Sequence, residues 1–169
     1  DSLKNAITTN KPITLDFVYG DIDKNGVMTP LDGQQRLTTL FLLHWYAAKR
    51  ESINKDEYGF LSNFSYETRY SARDFCDLIV NKYTPSFTQS ISEEIIDQAW
   101  FPLDWTKDPT ISSMLVMLDE IHKMFSVVPN IWNSLKNGAI SFYFLPIKDM
   151  GLTDELYIKM NSRGKPLTQ

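Results

Sequence analysis

The chain has 169 residues, which suits one domain, with or without an added helical part. Its 43% hydrophobic residues include 10 Phe, 8 Tyr and 4 Trp, enough to fill a large core and to exclude a disordered chain. Seventeen basic residues against 21 acidic ones give a net charge of −4, so the broad positive footprint of a tight non-specific nucleic-acid binder is missing.

The single cysteine, Cys76, excludes an internal disulfide framework and suits a reducing cytoplasm, where we expect the protein to act. Its apolar neighbours favour a buried, inert thiol over a nucleophile. No stretch has the length and apolar character of a membrane span, and no signal peptide is visible. The chain begins at Asp1 without methionine and stops at Gln169 inside a motif, so we expect a piece of a longer protein.

The first 30 residues predict the remnant of a helix and then a β-hairpin. Apolar residues at alternate positions from Ile13 to Tyr19, with Phe17 among them, predict a half-buried strand whose apolar side faces the core. The pair Asn25-Gly26 is typical of a tight hairpin turn. The returning strand, 27–29, is expected to end at Pro30.

The segment 29–40, with the sequence TPLDGQQRLTTL, leads into a long helix. Asp32 is expected to be the helix N-cap, with Gln35 reaching back in a capping box. Gly33 lets a ligand approach the backbone closely. Arg36 puts a cation in the first helical turn, where the helix dipole favours anions. Glycine, cation and free amides at one helix N-terminus predict a site for a phosphate or another anion.

A second interpretation of this segment stays open. Asp32 and Gln35 can be only a cap, Gly33 only a turn residue, and Arg36 a surface cation or the partner of a carboxylate. Short motifs of this kind match by chance. The anion site is favoured because two glutamines and two threonines share the same two turns, on a helix that is otherwise strongly apolar.

The helix predicted for 33–50 is apolar nearly all round, so it should be buried on more than one side. His44 is expected to be a hydrogen-bonded core or rim histidine. A mixed linker, 51–65, is followed by a helix over 67–83, with Tyr70, Phe75, Leu78 and Ile79 facing inward.

Arg69 and Arg73 are four residues apart on the helix predicted for 67–83, where like charges repel unless an anion or a carboxylate lies between them. Two interpretations are open for this pair. They lie on a solvated surface, or they provide a second basic contact to the ligand.

Three more helices are predicted, the first from Ser90 or Ser92 to Trp100. Asp108-Pro109 has the cap and first-turn proline that begin the second, and Asn137-Gly138 ends the third, over 129–136. Trp132 is expected in the core. The strand predicted for 139–147 is apolar enough to be central, although its Pro146 must end it or place it at an edge. A last helix, 154–160, leads into the segment Asn161-Ser162-Arg163-Gly164.

These elements predict an α+β fold. A small mixed sheet, built from the hairpin 13–29 and the strand 139–147, packs on the helix 33–50. We expect the whole chain to be one domain, with an α/β core of 1–50 and 139–169 and a mainly helical insert of 51–138. The sequence contains no P-loop, dinucleotide fingerprint, nucleophile elbow or metal-ligand cluster.

The decapeptide LDGQQRLTTL, residues 31–40, resembles the signature of the N-terminal domain of GmrSD-type restriction endonucleases, a ParB/sulfiredoxin-like family of bacterial anti-phage systems. The segments YETRYS, 66–71, and YIKMNSRGKPL, 157–167, agree in order and character. Two family features are not in the sequence: the upstream Y-Q-R segment and the HNH nuclease domain. The isolated chain is therefore expected to be inactive.

The resemblance implies a domain that binds and hydrolyses a nucleoside triphosphate with Mg²⁺. This activity would control a linked HNH nuclease, and the full-length protein would act on modified or phage DNA; no membrane partner is expected. Asp32, Gln34, Gln35 and Arg36 would be the catalytic residues, with Asp32 as the magnesium ligand. The residues implied to bind the nucleotide are Gly33, Arg36, Thr38, Arg69, Asn161, Arg163 and Gly164.

Two alternatives to a nucleotide-hydrolysing domain remain at this point. One is a ParB-like module that binds DNA or a partner through the same cations, without hydrolysis. The other is a structural adaptor in which the motif only caps a helix.

Overall fold

The computed structural model describes residues 2–147, which form three strands and seven α-helices. One helix and two strands come first, six helices follow, and the third strand comes last. The predicted helix 154–160 and the segment 161–164 lie outside this range. Short 3₁₀ turns at Gly59–Asn63 and Leu103–Lys107 join some of the helices. The elements are α1 (Ser2–Thr9), β1 (Ile13–Ile22), β2 (Met28–Asp32), α2 (Gln34–Arg50), α3 (Lys55–Tyr58), α4 (Tyr70–Asn81), α5 (Ile91–Ile96), α6 (Pro109–Phe125), α7 (Ile131–Lys136) and β3 (Ile140–Pro146).

The α+β class and the small mixed sheet are confirmed. The strand order is β2-β1-β3, with β1 antiparallel to β2 and parallel to β3. Of the two positions left open for β3, the structure has the edge position that Pro146 allowed, because β1 holds the centre of the described sheet. Pro146, the last residue of β3, has no backbone N–H for a further strand and is tolerated at that edge. The division into a core and a helical insert stays a prediction.

The pairing of β1 with β3 slips by one residue, and this slip reverses the face of one predicted core residue. Leu15 pairs with Phe142 and Val18 with Phe144, so two residues of β1 oppose the single residue Tyr143. Because side chains alternate with a period of two, the extra residue moves Phe17 outward, where it is 41% exposed, and turns Val18 fully inward. The prediction that Phe17 faces the core is therefore wrong.

The hairpin forms as expected at Asn25-Gly26, where Gly26 has a φ of 80°. The Asp23 carboxylate supports the turn by accepting from the amides of Asn25 and Val27 at 2.8 and 3.0 Å. The returning strand does not end at Pro30: β2 continues to Asp32, which pairs with Tyr19. An edge position again explains why a proline fits inside a strand. The residues of β1 that precede Tyr19 have no pairing partner in β2.

Helix α2 is buried on more than one side, as predicted, with ten buried residues. Two polar groups on it bond to the carbonyls of α4. The indole nitrogen of Trp45 donates to the Ile79 carbonyl at 2.7 Å, and the ammonium of Lys49 donates to the Val80 carbonyl at 3.2 Å. Since these groups are fully or largely buried, the bonds hold α2 and α4 in one relative position.

Helix α4 begins at Tyr70, three residues later than predicted, and this shift explains one wrong assignment. Tyr70 was expected to face inward, but it is 69% exposed at the first helical position. The centre of its ring lies 5.0 Å from the central carbon of the Arg73 guanidinium. Phe75 and Ile79 are buried, as predicted.

Asp108 caps α6 as predicted and also joins α6 to α4. Its carboxylate accepts from the amides of Thr110 and Ile111 at 2.8 and 3.2 Å, and from the hydroxyl of Ser71. Burial alone would raise the pKa of Asp108, but these hydrogen bonds outweigh burial and hold the pKa below its usual value. The cap is therefore strongest when the carboxylate is ionised.

Among the helices of residues 2–147, none combines the length and the apolar character that crossing a bilayer requires.

We predict that Asp108→Ala destabilises the protein at neutral pH by about 1 kcal/mol, the typical value of a lost N-cap. Because the folded pKa is lowered, the contribution of Asp108 is complete above its usual pKa of 3.8 and is lost as the pH falls below that value. Thermal unfolding measured between pH 7 and pH 3 should show that the difference in melting temperature between the variant and the wild type becomes smaller as the pH falls. Asp104→Ala, at an exposed position just before α6, is the control; an equal loss there, or a loss independent of pH, would contradict the role of Asp108.

Candidate functional site

The chain passes from β2 into α2 through a left-handed residue, Gly33, and not through the predicted aspartate cap. Gly33 is the N-cap of α2, with φ 85° and ψ 12°. Asp32 cannot take that place because it is still paired with Tyr19 in the sheet. Its carboxylate accepts from the Gly33 amide at 2.9 Å, so it steadies the turn from one residue earlier. A residue with a Cβ pays a steric penalty in this conformation, which glycine avoids.

The N-terminus of α2 has no side-chain cap within the described part of the chain. The first backbone bond of the helix runs from the Leu37 amide to the Gly33 carbonyl at 3.1 Å. The amides of residues 34–36 therefore have no acceptor inside the helix, and they carry the positive end of its dipole. The Gly33 amide was expected to join them in holding an anion, but it already donates to Asp32.

The two glutamines differ in freedom. The side-chain amide of Gln34 donates to the Pro30 carbonyl at 3.1 Å, which ties it to the end of β2. Gln35 is exposed, and the capping-box bond expected from it is absent among the hydrogen bonds of residues 2–147. Gln35 is thus the glutamine whose side chain can turn towards a ligand.

Arg36 is held at the edge of the central strand. Its guanidinium donates to the Phe17 carbonyl at 3.0 Å. That carbonyl is accessible because β2 has ended opposite Tyr19. The same guanidinium lies beside Gly33, since a Cβ added there would be 3.1 Å from an Arg36 nitrogen. The arginine is therefore fixed next to the uncapped amides of its own helix.

The one ion pair recorded for Arg36 is weak. A second nitrogen of the guanidinium is 4.0 Å from the Asp16 carboxylate, and the side chains of Arg36 and Asp16 are 36% and 86% exposed. An exposed pair at this distance contributes about 0–1 kcal/mol. A guanidinium has five N–H donors, and the bond to Phe17 uses one of them. The group can therefore bind an anion without losing its anchor.

Thr38 is buried and its hydroxyl is used inside the protein. It donates to the Gln34 carbonyl at 3.1 Å and lies 3.2 Å from the hydroxyl of Tyr66. Burial raises the pKa of Tyr66, so its hydroxyl stays protonated at neutral pH. Thr38 thus joins the motif helix to the segment 66–71, and Tyr66 is a contact that sequence reasoning did not single out.

Arg69 and Arg73 serve different partners. Arg69 donates to the hydroxyl of Thr110 on α6. Arg36 bonds to Phe17 and pairs with Asp16, so Arg69 and Arg36 share no partner among these contacts. Arg73 donates to the carbonyls of Tyr66 and Glu67, so the acceptors of its hydrogen bonds are backbone oxygens and not an anion or a carboxylate.

The structure brings together Asp32, Gly33, Gln34, Gln35 and Arg36 around the first turn of α2. The predicted site residues Asn161, Arg163 and Gly164 lie outside residues 2–147. For all of these residues the assigned roles stay predictions.

Three residues of β1 belong to this site and were missed: Asp16, the carbonyl of Phe17, and Val18. They were missed because the extra residue in β1 sets their positions, and the alternation of apolar residues gives no sign of it.

The described residues contain no group of three or more His, Cys, Asp or Glu side chains placed to hold a metal ion. A cation at this site would therefore have at most one or two carboxylates from residues 2–147.

A family model described as GmrSD restriction endonuclease, N-terminal domain, matches residues 1–169. Neither the curated proteins nor the solved structures contain a match to the chain.

We predict that Gly33→Ala is more destabilising than Gly138→Ala. Both glycines have a positive φ, 85° and 83°, so both substitutions introduce the same backbone strain of about 1 kcal/mol. A Cβ at Gly138 meets open space, whereas one at Gly33 would lie 2.9 Å from a methyl carbon of Val18. The clash should add about 1–3 kcal/mol at Gly33. Urea unfolding of both variants measures the difference, and equal losses would mean that the packing around Gly33 is loose.

Proposed function

Because the chain belongs to the family of GmrSD restriction endonuclease N-terminal domains, we propose that it is the nucleotide-hydrolysing module of a modification-dependent restriction enzyme. In this proposal the first turn of α2 binds the phosphates of a nucleoside triphosphate. Hydrolysis would then control a linked HNH nuclease that acts on modified phage DNA in the bacterial cytoplasm.

The position of Arg36 is the observation that supports this proposal most directly. An arginine in the first turn of a helix opposes the helix dipole, and an anion bound beside both would relieve this repulsion. Here the guanidinium is anchored to the Phe17 carbonyl, beside Gly33 and the amides of residues 34–36. Phosphate oxygens would accept charge-assisted bonds from the guanidinium and ordinary bonds from the amides.

The neighbouring side chains suit different steps of phosphate hydrolysis. Gln35, which is exposed, would orient the attacking water, whereas Gln34 is tied to Pro30 and would hold the turn in place. Phosphoryl transfer needs mainly positioning and neutralisation of charge, which fixed donors provide. Arg69, Asn161, Arg163 and Gly164 complete the proposed nucleotide contacts, whereas Thr38, whose buried hydroxyl already bonds to Gln34 and Tyr66, would support the turn from behind.

Asp32 fits the part of a magnesium ligand. Mg²⁺ bound with a nucleotide takes one or two carboxylates from the protein, and phosphates and water supply the remaining ligands. One oxygen of Asp32 accepts from the Gly33 amide, and the other can face a cation at the same turn. When bound, Mg²⁺ would neutralise charge on the phosphate oxygens.

We predict that Arg36→Ala in the full-length protein weakens the binding of GTP, UTP or ATP in the presence of Mg²⁺ by about tenfold to a hundredfold, the value of a charged hydrogen bond. Phosphate release should fall with it. Arg50→Ala is a matched control, because Arg50 lies on the same helix and also donates one bond to a carbonyl, that of Ser126 at 2.9 Å. Arg50→Ala should lower the free energy of unfolding about as much as Arg36→Ala does, and it should leave nucleotide binding unchanged.

Equal effects of the two substitutions would rule out a phosphate role for Arg36. The runner-up function, a ParB-like module that grips DNA or a partner without hydrolysis, has its own signature. It would give no phosphate release, together with a DNA affinity that falls steeply with salt and with the Arg36 substitution.

We predict that Asp32→Asn separates the structural role of Asp32 from its catalytic role. Asparagine keeps a side-chain oxygen that can accept from the Gly33 amide, so the melting temperature should change little. The negative charge that would face Mg²⁺ is lost, and Mg²⁺-dependent turnover should fall at least tenfold while nucleotide binding without metal persists. A variant that loses stability but hydrolyses nucleotide normally would assign Asp32 to the turn alone.

A further inference from the structure

A small cleft lies between α2, the 3₁₀ turn after α3 and α7, away from the motif. Its volume is about 220 Å³, and it is lined by His44, Glu57, Phe60, Trp132 and Lys136. His44 follows Arg36 by two turns of α2, about 12 Å along the helix axis. The cleft is therefore separate from the proposed phosphate site and independent of the function proposed for it.

Three rings form the wall of this cleft. The ring centroids of His44 and Trp132 are 6.1 Å apart, edge to face, and those of Phe60 and Trp132 are also 6.1 Å apart. Trp132 is buried in the core, as predicted, whereas Phe60 is 54% exposed. The planes of Phe60 and Trp132 are tilted by 39°, so the exposed ring of Phe60 is the apolar face open to a ligand, and the buried ring of Trp132 supports it from the side.

The polar groups of the cleft offer both acceptors and a donor. The Nδ1 of His44 is 2.6 Å from the Leu40 carbonyl, and because a carbonyl can only accept, Nδ1 carries the hydrogen. Burial lowers the pKa of His44, which keeps the ring neutral and leaves Nε2 as an acceptor. Glu57 adds a carboxylate and Lys136 an ammonium, both on exposed residues.

The balance of charge selects the class of ligand. A cationic ligand would face the ammonium of Lys136, and an anionic one would face the carboxylate of Glu57. A neutral flat ring with donors on one edge and an acceptor on another satisfies both groups and covers the aromatic wall. Carboxylates and ammonium groups contact base edges in this way, and aromatic rings stack on bases of any sequence.

We propose that this cleft binds a single nucleobase that carries both an exocyclic amino group and a ring carbonyl, as guanine and cytosine do. The base packs on Phe60 and Trp132, its amino group donates to Glu57, and its carbonyl accepts from Lys136. The base comes from a free nucleoside or from DNA, the substrate of a restriction endonuclease. A base in duplex DNA has to leave the stack to reach the cleft.

Titration of the full-length protein with guanosine and inosine tests the amino contact by calorimetry. The two nucleosides differ only in the amino group, and neither has the phosphates that the Arg36 site requires. Guanosine should bind roughly tenfold more tightly than inosine. Glu57→Ala, which removes the accepting oxygens, should abolish this preference, and Glu67→Ala, at another exposed glutamate, should keep it. Equal affinities in the wild type would overturn the assignment of Glu57.

Phe60→Ala tests the stacking surface and should weaken guanosine binding roughly tenfold. Tyr143→Ala removes a ring of similar exposure, 59%, from β3 and is the control. Arg36→Ala should leave guanosine binding intact, so failure of the phosphate site and failure of this cleft can be told apart.

A duplex with one guanine opposite an abasic site distinguishes the two sources of the base. A loss of affinity with Phe60→Ala only for this duplex means that the cleft takes an extruded base. If neither guanosine nor cytidine nor this duplex binds in a Phe60-dependent way, or if Phe60→Ala alters only the association of protein domains, the proposal is wrong.

Discussion

The left-handed turn at Gly33 is the constraint on which the arrangement of the motif depends. The chain has to leave the edge of the sheet after Asp32 and enter a buried helix within one residue. This is possible because Gly33 has no Cβ, which would clash with Val18 and reach the guanidinium of Arg36. The same turn leaves the first amides of α2 uncapped and brings the guanidinium of Arg36 beside Gly33, so fold and candidate site share one cause.

Helix α2 contacts both the sheet and the other helices. Its N-terminal turn is polar and lies against the edge of β1, through the bond from Arg36 to the Phe17 carbonyl. Its middle and C-terminal parts are buried in the helical part, where Trp45 and Lys49 bond to α4. A polar end on an otherwise buried helix makes the motif accessible while the rest of the helix holds it rigid, which is what a preorganised binding site requires.

Among the residues that the structure describes, Arg50, Arg69 and Arg73 bond within the protein, and Arg36 is the arginine that we propose for ligand binding. Arg73 donates to two backbone carbonyls, Arg50 to that of Ser126, and Arg69 to Thr110. These bonds join helices and loops across the helical part. Arg36 has one comparable anchor and a weak, exposed ion pair, so most of its donors remain for a ligand. The chain belongs to the family of GmrSD restriction endonuclease N-terminal domains, and the free donors of Arg36 support our proposal that this site binds an anion.

The sequence by itself determined the features that depend on neighbouring residues. The hairpin at Asn25-Gly26, the cap and proline that begin α6, the buried character of α2 and the α+β class follow from local chemistry and periodicity. Tertiary structure decided what depends on distant strands: the extra residue in β1 that exposes Phe17, the edge position of β3, and the carbonyl that anchors Arg36. The first two features are set by the pairing of β1 with β3, over 100 residues apart in the chain, and the third by the point at which β2 ends beside β1. No local pattern encodes them, because a slip of one residue reverses a strand's faces without changing its composition.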